Sequence, residues 1–388
     1  MSADRHSYFY LLSPFFTMSG LYLHIPFCLS KCAYCGFYSV PSVKRKAEVL
    51  AALKQEMVSR KDYLQGKPIS TIYFGGGTPS LLKVDEIDSL LGMIKELFLV
   101  EPDAEITLEA NPDTLSLEYL EGLRLLGINR LSIGIQSFFD NDLKYLSRRH
   151  NSEHARQCLQ WAQKVGFSNL NIDLIYGLPS SNADQWNRNL DQFLELDIPH
   201  LSAYALTLEP NSILTKLIEQ GKAMRVNEDD AVRDYEILCQ KMAQAGYLHY
   251  EISNFCRPGW TSKHNTSYWF GVPYLGLGPS AHSYNGTSRQ WNSCTLGNST
   301  FHIPNYESEI LSPEQQYNEY VMLRLRTMWG IDLKYMKREM GERFSTYCER
   351  QAQRLIVQGR LSRTREFLYL NDNQLLFADG IAETLFWA

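Results

Sequence analysis

The segment CLSKCAYCGFYS, residues 28–39, places three cysteines close together with the spacing CxxxCxxC. They are Cys28, Cys32 and Cys35, and thiols at such short spacing are typical of metal ligation. Two kinds of metal site are compatible with the triplet. Zinc could take the three thiolates together with His24, as a Cys3His site. An iron–sulfur cubane normally takes four cysteines, so with three it would keep one iron open to an external ligand.

The rest of the composition is that of an ordinary globular protein. Of the 388 residues, 44% are hydrophobic and 21% are charged, and the formal net charge is -5, so nothing indicates a nucleic-acid partner. The other cysteines are scattered singly and do not form a disulfide framework, which suits a cytoplasmic location. They are Cys158, Cys239, Cys256, Cys294 and Cys348.

The N-terminal segment SYFYLLSPFFTMSG, residues 7–20, is apolar. It is shorter than the roughly 18 apolar residues of a membrane span. Pro14 interrupts it and no small-residue cleavage site follows, which disfavours a signal peptide. We therefore expect residues 1–20 to be a tail, with Met18 as an alternative start of the protein. A weak peripheral membrane contact is the functional alternative.

Six short apolar runs alternate with amphipathic segments over the first two thirds of the chain. This alternation predicts six βα units, and hence an α/β fold with a parallel sheet and helices outside it. Six units rather than eight favour a partial (β/α)6 TIM-like barrel, whose chemistry lies at the carboxyl ends of the strands. A flat, doubly wound sheet is the alternative. The strand runs are 21–25, 71–74, 105–110, 130–137, 169–177 and 200–209, and the helical segments are 44–63, 81–98, 115–126, 152–165, 183–195 and 228–245.

The pattern changes after residue 250. Residues 251–310 are rich in glycine, proline and aromatic residues, which predicts loops and short strands connecting the barrel, residues 21–250, to the rest of the chain. Helical patterns then begin near residue 313 and at 342–358. Two strand-like runs, FLYL and QLLF, flank a turn at 371–373. Residues 311–388 are therefore predicted to form a small winged-helix-like α+β domain.

Polar residues follow the predicted strands at their carboxyl ends. The glycine-rich turn 75–79, GGGTP, follows the second strand, Glu109 and Gln136 end the third and fourth, and Asp173 lies in the fifth. Arg148 comes after the fourth strand. Each of these alone could be a satisfied core or surface group. Together, on successive strands, they predict a ligand with amino, carboxylate and ribose groups.

These motifs carry a resemblance to a known family. CxxxCxxC at the first strand, GGGTP at the second and a partial barrel resemble the radical S-adenosylmethionine (SAM) superfamily. More narrowly, the chain from about residue 21 to its C-terminus resembles the oxygen-independent coproporphyrinogen III oxidase group, which includes HemW-type haem chaperones. The motifs are YLHIPFC (22–28), CAYCGF (32–37), FGGGTP (74–79), LEANP (108–112), RLSIGIQSF (130–138), LIYGLP (174–179), YEISNF (250–255), HNTSYW (264–269) and YLGLGPSAHSY (274–284).

The resemblance implies a cofactor set. Cys28, Cys32 and Cys35 would hold a 4Fe-4S cluster, and SAM would chelate the open iron through its amino and carboxylate groups. In the superfamily, an electron from the cluster cleaves SAM to a 5'-deoxyadenosyl radical. The family positions for SAM are Tyr22 against the cluster, Tyr34 at the adenine, Gly76, Gly77 and Thr78 at the amino end, Glu109, Gln136, Arg148 and Asp173 at the carboxylate and ribose, and Ala205 and His282 as further contacts.

Two features separate this chain from the oxidases of the group. In the oxidases that this chain resembles, the motif is CxxxCxxCxC, with a fourth cysteine where this chain has Phe37. They also have a longer segment before the motif. HNTSYW also matches the HNxxYW motif linked to haem in the chaperone branch. It makes His264, Asn265, Tyr268 and Trp269 candidate haem residues, since imidazole can bind iron and aromatic rings can contact a macrocycle. Other candidate iron ligands are His249, Cys256 and His282.

Two functions of different classes follow from the resemblance. The first is a haem chaperone that binds haem and transfers it to an acceptor protein, with an electron donor as a further partner. The alternative is an enzyme, the oxidase that decarboxylates coproporphyrinogen III to protoporphyrinogen IX. A zinc-stabilised structural protein is the third and weakest hypothesis.

Overall fold

The computed structural model describes residues 18–210, 212–293 and 306–388. Most of the N-terminal tail, with its predicted membrane contact, lies outside these residues, as does Cys294. Within them, no helix combines the length and the apolar character that crossing a membrane requires.

The core of the molecule is a parallel sheet of six strands. They are β1 Ser19–Ile25, β2 Ile69–Gly76, β3 Val100–Ala110, β4 Arg130–Gln136, β5 Asn169–Tyr176 and β6 His200–Ala205. Each pairs in parallel with the next along the chain. The predicted partial barrel is therefore confirmed, and all carboxyl ends of these strands meet at one end of it.

Helices connect and cover these strands. They are α1 Lys46–Arg60, α2 Val84–Leu97, α3 Leu117–Leu125, α4 Asp140–Tyr145, α5 Ser152–Lys164, α6 Ala183–Glu195, α7 Ile213–Glu219 and α8 Glu228–Gln244. Alternate residues of each strand face these helices, as Leu21, Leu23 and Ile25 of β1 do in the main apolar core. The intervening residues face the barrel interior.

Residues from 248 onward extend the sheet at both edges, to twelve strands in the described part of the chain. Beyond β6 lie β7 Leu248–Glu251 and β8 Asn254–Cys256, both in antiparallel pairing. Beyond β1 lie β9 Tyr274–Leu277, β10 His282–Tyr284, β11 Ser288–Asn292 and β12 Tyr306–Ile310. Helix α9, Lys263–Trp269, lies between the two groups in sequence.

The C-terminal part has its own apolar core. Its elements are α10 Pro313–Leu325, β13 Ile331–Asp332, α11 Leu333–Tyr335, a π-helical turn Met336–Met340, α12 Glu342–Val357, β14 Ser362–Arg363, β15 Phe367–Tyr369, a 3-10 segment Asp372–Phe377 and α13 Ala378–Glu383. The run FLYL is a strand as predicted, but the prediction for QLLF was wrong, because it lies in the 3-10 segment. Leu375 is buried whereas Leu376 and Phe377 are exposed, a pattern that lacks the alternation of a strand.

Candidate functional site

The cysteine loop follows the carboxyl end of β1 and is closed on itself. Phe27 and Val40 form a bridge, and the amide of Cys28 donates to the carbonyl of Val40 over 3.0 Å. The amide of Cys35 donates to the carbonyl of Cys32 over 3.3 Å. All three cysteines are free thiols of intermediate exposure. The loop thus keeps three sulfur ligands together at the end of the barrel where the sequence predicts chemistry.

Polar groups from the neighbouring strand ends contact two of the sulfurs. Thr78 Oγ1 donates to Cys28 Sγ over 3.6 Å, and Arg148 Nη1 donates to Cys32 Sγ over 3.3 Å. Arg148 Nη2 also donates to Asn111 Oδ1 over 2.6 Å and to the carbonyl of Gly134 over 2.8 Å. Asn111 Nδ2 donates to Thr78 Oγ1 over 3.0 Å. One hydrogen-bond network therefore fixes the cysteine loop to the ends of β2, β3 and β4.

The donor set agrees better with a cluster than with a zinc ion. Both ring nitrogens of His24 are bonded at 3.0 Å, Nδ1 to the Tyr22 hydroxyl and Nε2 to the carbonyl of Tyr38, so His24 has no nitrogen left for zinc. A cubane instead presents separate irons to separate thiolates. Burial raises the pKa of the Cys35 thiol, and bound metal would favour its thiolate.

The glycine-rich turn after β2 packs against β1 and the cysteine loop. At Gly76, with φ +107°, an added Cβ would lie 2.6 Å from the His24 ring. At Gly77 it would lie 2.6 Å from the carbonyl oxygen of Phe27. Both positions therefore need glycine for close packing of the site.

Two half-buried carboxyl groups face the barrel interior next to this turn. Glu109 accepts hydrogen bonds from the Tyr73 hydroxyl over 2.8 Å and from the Gly76 amide over 3.1 Å. Burial, with a smaller contribution from the charge of Asp173, raises the pKa of Glu109 to about 7. Asp173 accepts from Asn171 Nδ2 over 2.8 Å, and burial raises its pKa to about 6. Both groups can thus be ionised near neutral pH and accept hydrogen bonds from a ligand.

Arg130 lies at the amino end of β4, and the sequence analysis treated it only as the start of that strand. Its side chain is 1% exposed, and none of its three side-chain nitrogens has a hydrogen-bond partner among the described residues. Its positive charge opposes the effect of burial on the pKa of Glu109 and Asp173. The sequence signal for Arg130 was a charged residue at the start of the otherwise uncharged strand RLSIGIQ.

The other predicted SAM residues lie on the strands and loops around this end of the barrel. Tyr22 is half-buried and stacks on Tyr73, with ring centroids 6.1 Å apart. Gln136 is buried at the end of β4 with φ +67°, a conformation uncommon outside glycine. The remaining three differ in exposure: Tyr34 is half-buried in the cysteine loop, Ala205 is exposed at the end of β6, and His282 is exposed on β10.

Helix α9, which carries HNTSYW, closes the opposite end of the barrel. His264 is 1% exposed, and its Nδ1 and Nε2 are bonded to Thr71 Oγ1 at 2.7 Å and to the Tyr268 hydroxyl at 2.8 Å. The carboxylate of Glu105 accepts from the amides of Lys263 and His264 over 3.1 and 3.0 Å. Because neither imidazole nitrogen is available, the geometry does not support His264 as a haem iron ligand in this fold.

The other three candidate haem residues lie on the same helix. Asn265, Tyr268 and Trp269 are half-buried. The Tyr268 ring lies 4.6 Å from that of Tyr274, and the guanidinium of Arg326 lies 5.7 Å from the Trp269 ring. Their contacts are those of a packed helix at the base of the barrel.

The chain matches two family models and several curated proteins. The Radical SAM superfamily model matches residues 22–193, and the HemN C-terminal domain model matches residues 311–377. The chain is 33% identical over 377 residues to the protein named heme chaperone HemW of Mycobacterium tuberculosis, with 94% of each chain covered. It is 32% identical to heme chaperone HemW of Bacillus subtilis, covering 94% of this chain and 98% of that protein.

A solved structure shares the fold over nearly the whole chain. It is coproporphyrinogen III oxidase (HemN) from Escherichia coli, described as a radical SAM enzyme, with a TM-score of 0.82. The match covers 98% of this chain and 93% of that chain at 24% identity, and so shows the fold alone. The sequence identity to the HemW proteins over nearly their full length shows the family. This chain belongs to the radical SAM superfamily and, within it, to the HemW family.

Proposed function

We propose that this chain is a haem chaperone, which binds haem and passes it to an acceptor protein while carrying a 4Fe-4S cluster with SAM on its open iron. The observation that carries the proposal is the 33% identity, over 94% of both chains, to a protein named heme chaperone HemW. Phe37 also supports the proposal, because the oxidases of the group have a fourth cysteine at this position. Its side chain is 72% exposed beside the cysteine loop.

The site residues have separate tasks in this proposal. Cys28, Cys32 and Cys35 provide the three thiolates, and Thr78 and Arg148 hold two of the sulfurs by hydrogen bonds. SAM is bound by the remaining family positions. They are Tyr22, Tyr34, Gly76, Gly77, Thr78, Glu109, Gln136, Arg148, Asp173 and Ala205, with His282 as a further family position. Together the 4Fe-4S cluster and SAM would supply one-electron radical chemistry when bound. The proposal also includes an acceptor protein, an electron donor and a cytoplasmic location. The cysteines in the described part of the chain are free thiols, which agrees with that location.

The test reconstitutes the cluster anaerobically in the full chain and divides the protein between two assays. One part is titrated with haemin. The other receives SAM, a strong reductant and coproporphyrinogen III, and protoporphyrinogen and 5'-deoxyadenosine are measured together. We expect saturable haem binding and no porphyrin product. Porphyrin formation would overturn the chaperone function in favour of the oxidase, and absence of haem binding would also overturn it.

A further inference from the structure

Four side chains with different chemistry share one face of the β10–β11 ribbon. His282 lies opposite Trp291, and Tyr284 lies opposite Arg289. Residues directly opposite each other in an antiparallel pair project from the same face, and so do residues two apart in one strand. We call this set the His282 face.

The His282 face continues the cofactor side of the sheet. Tyr284 pairs with Tyr274, and Tyr274 pairs with Gly20 of β1, two residues before Tyr22. The alternation of side chains therefore puts His282 on the same side of the sheet as Tyr22. His282 is exposed there, at the open edge of the barrel.

Most histidines in the described part of the chain are engaged within the protein. Both ring nitrogens are bonded in His24, His200 and His264. His150 is buried with Nε2 bonded to the carbonyl of Ile135, and His249 is bonded to the carbonyl of Ile252 and stacked on Phe255. His154 and His282 differ, because no ring hydrogen bond is found for either among the described residues.

The surroundings of the two histidines distinguish them. The His282 ring stacks on Trp291 with centroids 6.4 Å apart and an angle of 28° between planes, which orients the imidazole. His154 instead lies on the outer helix α5, edge-on to Trp161. Only His282 lies on the cofactor side of the sheet, beside a second aromatic side chain and a guanidinium.

Arg289 supplies a cation for a carboxylate ligand. Its side chain is 38% exposed, and its Nη2 lies 2.8 Å from Glu319 Oε2. A ligand carboxylate would compete with Glu319 for this guanidinium, whose remaining donors allow bidentate pairing. Tyr284 donates its hydroxyl to the carbonyl of Gly286 over 2.8 Å, which leaves its ring as apolar surface.

We propose that the His282 face binds haem, with His282 as the axial ligand of the iron and Arg289 paired with a propionate. Imidazole is a common haem ligand, and the aromatic rings of Tyr284 and Trp291 contact the apolar macrocycle. This inference rests on the proposed haem-chaperone function and assigns its ligand site. It also places haem on the same side of the barrel wall as the SAM residues, away from His264.

The experiment titrates haemin into the cluster-loaded full chain and into the variants His282→Ala, His282→Gly, Arg289→Gln and His154→Ala, followed by difference absorbance and electron paramagnetic resonance. We expect His282→Ala to weaken haem binding at least about tenfold, since loss of even an outer-shell partner costs a metal site that much. It should also change the ligation spectrum. Added imidazole should restore the wild-type spectrum in His282→Gly. Arg289→Gln should weaken binding with the spectrum unchanged.

His154→Ala is the matched control, and it should bind haem as the wild type does. Unchanged affinity and spectrum in His282→Ala would overturn the assignment of the site and leave the chaperone function standing. Loss of SAM binding in His282→Ala, with haem binding retained, would also overturn it and return His282 to its family position as a SAM contact. Failure of the wild-type chain to bind haem would instead overturn the proposed function itself.

Discussion

If Glu109 holds SAM as proposed, its ionisation should give SAM binding a pH dependence. Its pKa is raised to about 7 by burial, and its carboxylate accepts hydrogen bonds from the Tyr73 hydroxyl and the Gly76 amide. If SAM requires the ionised form, apparent affinity follows the ionised fraction, which grows about tenfold from pH 6 to pH 8. We expect SAM affinity to rise by that factor, measured by isothermal calorimetry at several pH values.

The control for this prediction is Glu109→Gln, which retains an acceptor oxygen and does not titrate. Its SAM affinity should be lower than that of the wild type at pH 8 and should rise no more than about twofold from pH 6 to pH 8. Asp173, with a pKa of about 6, is already half ionised at the start of the range and contributes a smaller rise. A wild-type affinity that stays flat from pH 6 to pH 8 would show that ionisation of Glu109 does not control binding.

Cys32→Ser should separate the two proposed metal centres. Cys32 Sγ accepts a hydrogen bond from Arg148 over 3.3 Å, and a serine hydroxyl preserves that acceptor while removing a thiolate ligand. We expect loss of the brown cluster absorbance and of labile sulfide, with haem affinity within about twofold of the wild type. Loss of both centres in a variant with wild-type circular dichroism would show one coupled site.

Some residues of the site could be predicted from sequence and others could not. The cysteines, Glu109 and Asp173 follow from their places in the chain, because the carboxyl ends of parallel strands meet at one end of a barrel. Asn111 and Arg130 are different. Their roles depend on which side chains face each other across strands that are far apart in sequence, and that register is set by packing rather than by local pattern.

Helix α9 is an element whose motif suggested a ligand and whose packing indicates a structural role. His264→Ala removes two hydrogen bonds and leaves the hydroxyls of Thr71 and Tyr268 without their partner. Such losses cost about 1–3 kcal/mol each, so we expect the free energy of unfolding to fall by about 3 kcal/mol. Urea denaturation measures this, with the half-buried neighbour Asn265→Ala as a control that should lose less than about 1 kcal/mol.

Haem titration of the same variants separates packing from ligation. His264→Ala should bind haem under conditions where it remains folded. A variant with wild-type stability and no haem binding would contradict the structural role of His264 and restore it as the iron ligand.

The bounds of the main elements followed the sequence closely where a pattern was long. Helix α6, Ala183–Glu195, and strand β4, Arg130–Gln136, match their predicted segments within a residue or so. The short run QLLF did not, because four residues contain too little periodicity to distinguish a strand from a helical turn. The extension of the sheet by β7 to β12 was also not predictable in detail, since antiparallel pairing of short strands depends on distant partners.

The molecule contains two large apolar cores, one in the barrel and one in the C-terminal part. A smaller cluster joins them, in which Trp329 contacts Tyr250 and Phe270, with ring centroids 6.1 and 5.1 Å apart. The amide of Met328 donates to the carbonyl of Tyr250 over 3.0 Å, and the guanidinium of Arg324 lies 4.0 Å from the Phe270 ring. This buried junction couples the proposed domain 311–388 to the barrel.

Trp329→Ala tests that coupling. Trp329 is 5% exposed, and replacing a buried tryptophan by alanine costs about 3–5 kcal/mol. Since the loss falls at the junction and not within either core, we expect the wild type to unfold in one transition and Trp329→Ala to unfold in two. Differential scanning calorimetry detects the split as a calorimetric enthalpy that exceeds the van't Hoff enthalpy.

Trp387→Ala is the matched control, because Trp387 packs on Phe344 and Tyr347, with ring centroids 4.9 and 4.6 Å apart, inside the C-terminal core. It should lower the temperature of unfolding while leaving the junction intact and the two parts coupled. If Trp329→Ala also unfolds in one transition with matching enthalpies, the parts are joined by more than this cluster. The Arg289–Glu319 ion pair between β11 and α10 would then be the next contact to remove. Because Arg289 belongs to the His282 face, removing the pair would connect the proposed haem binding to the position of the C-terminal part.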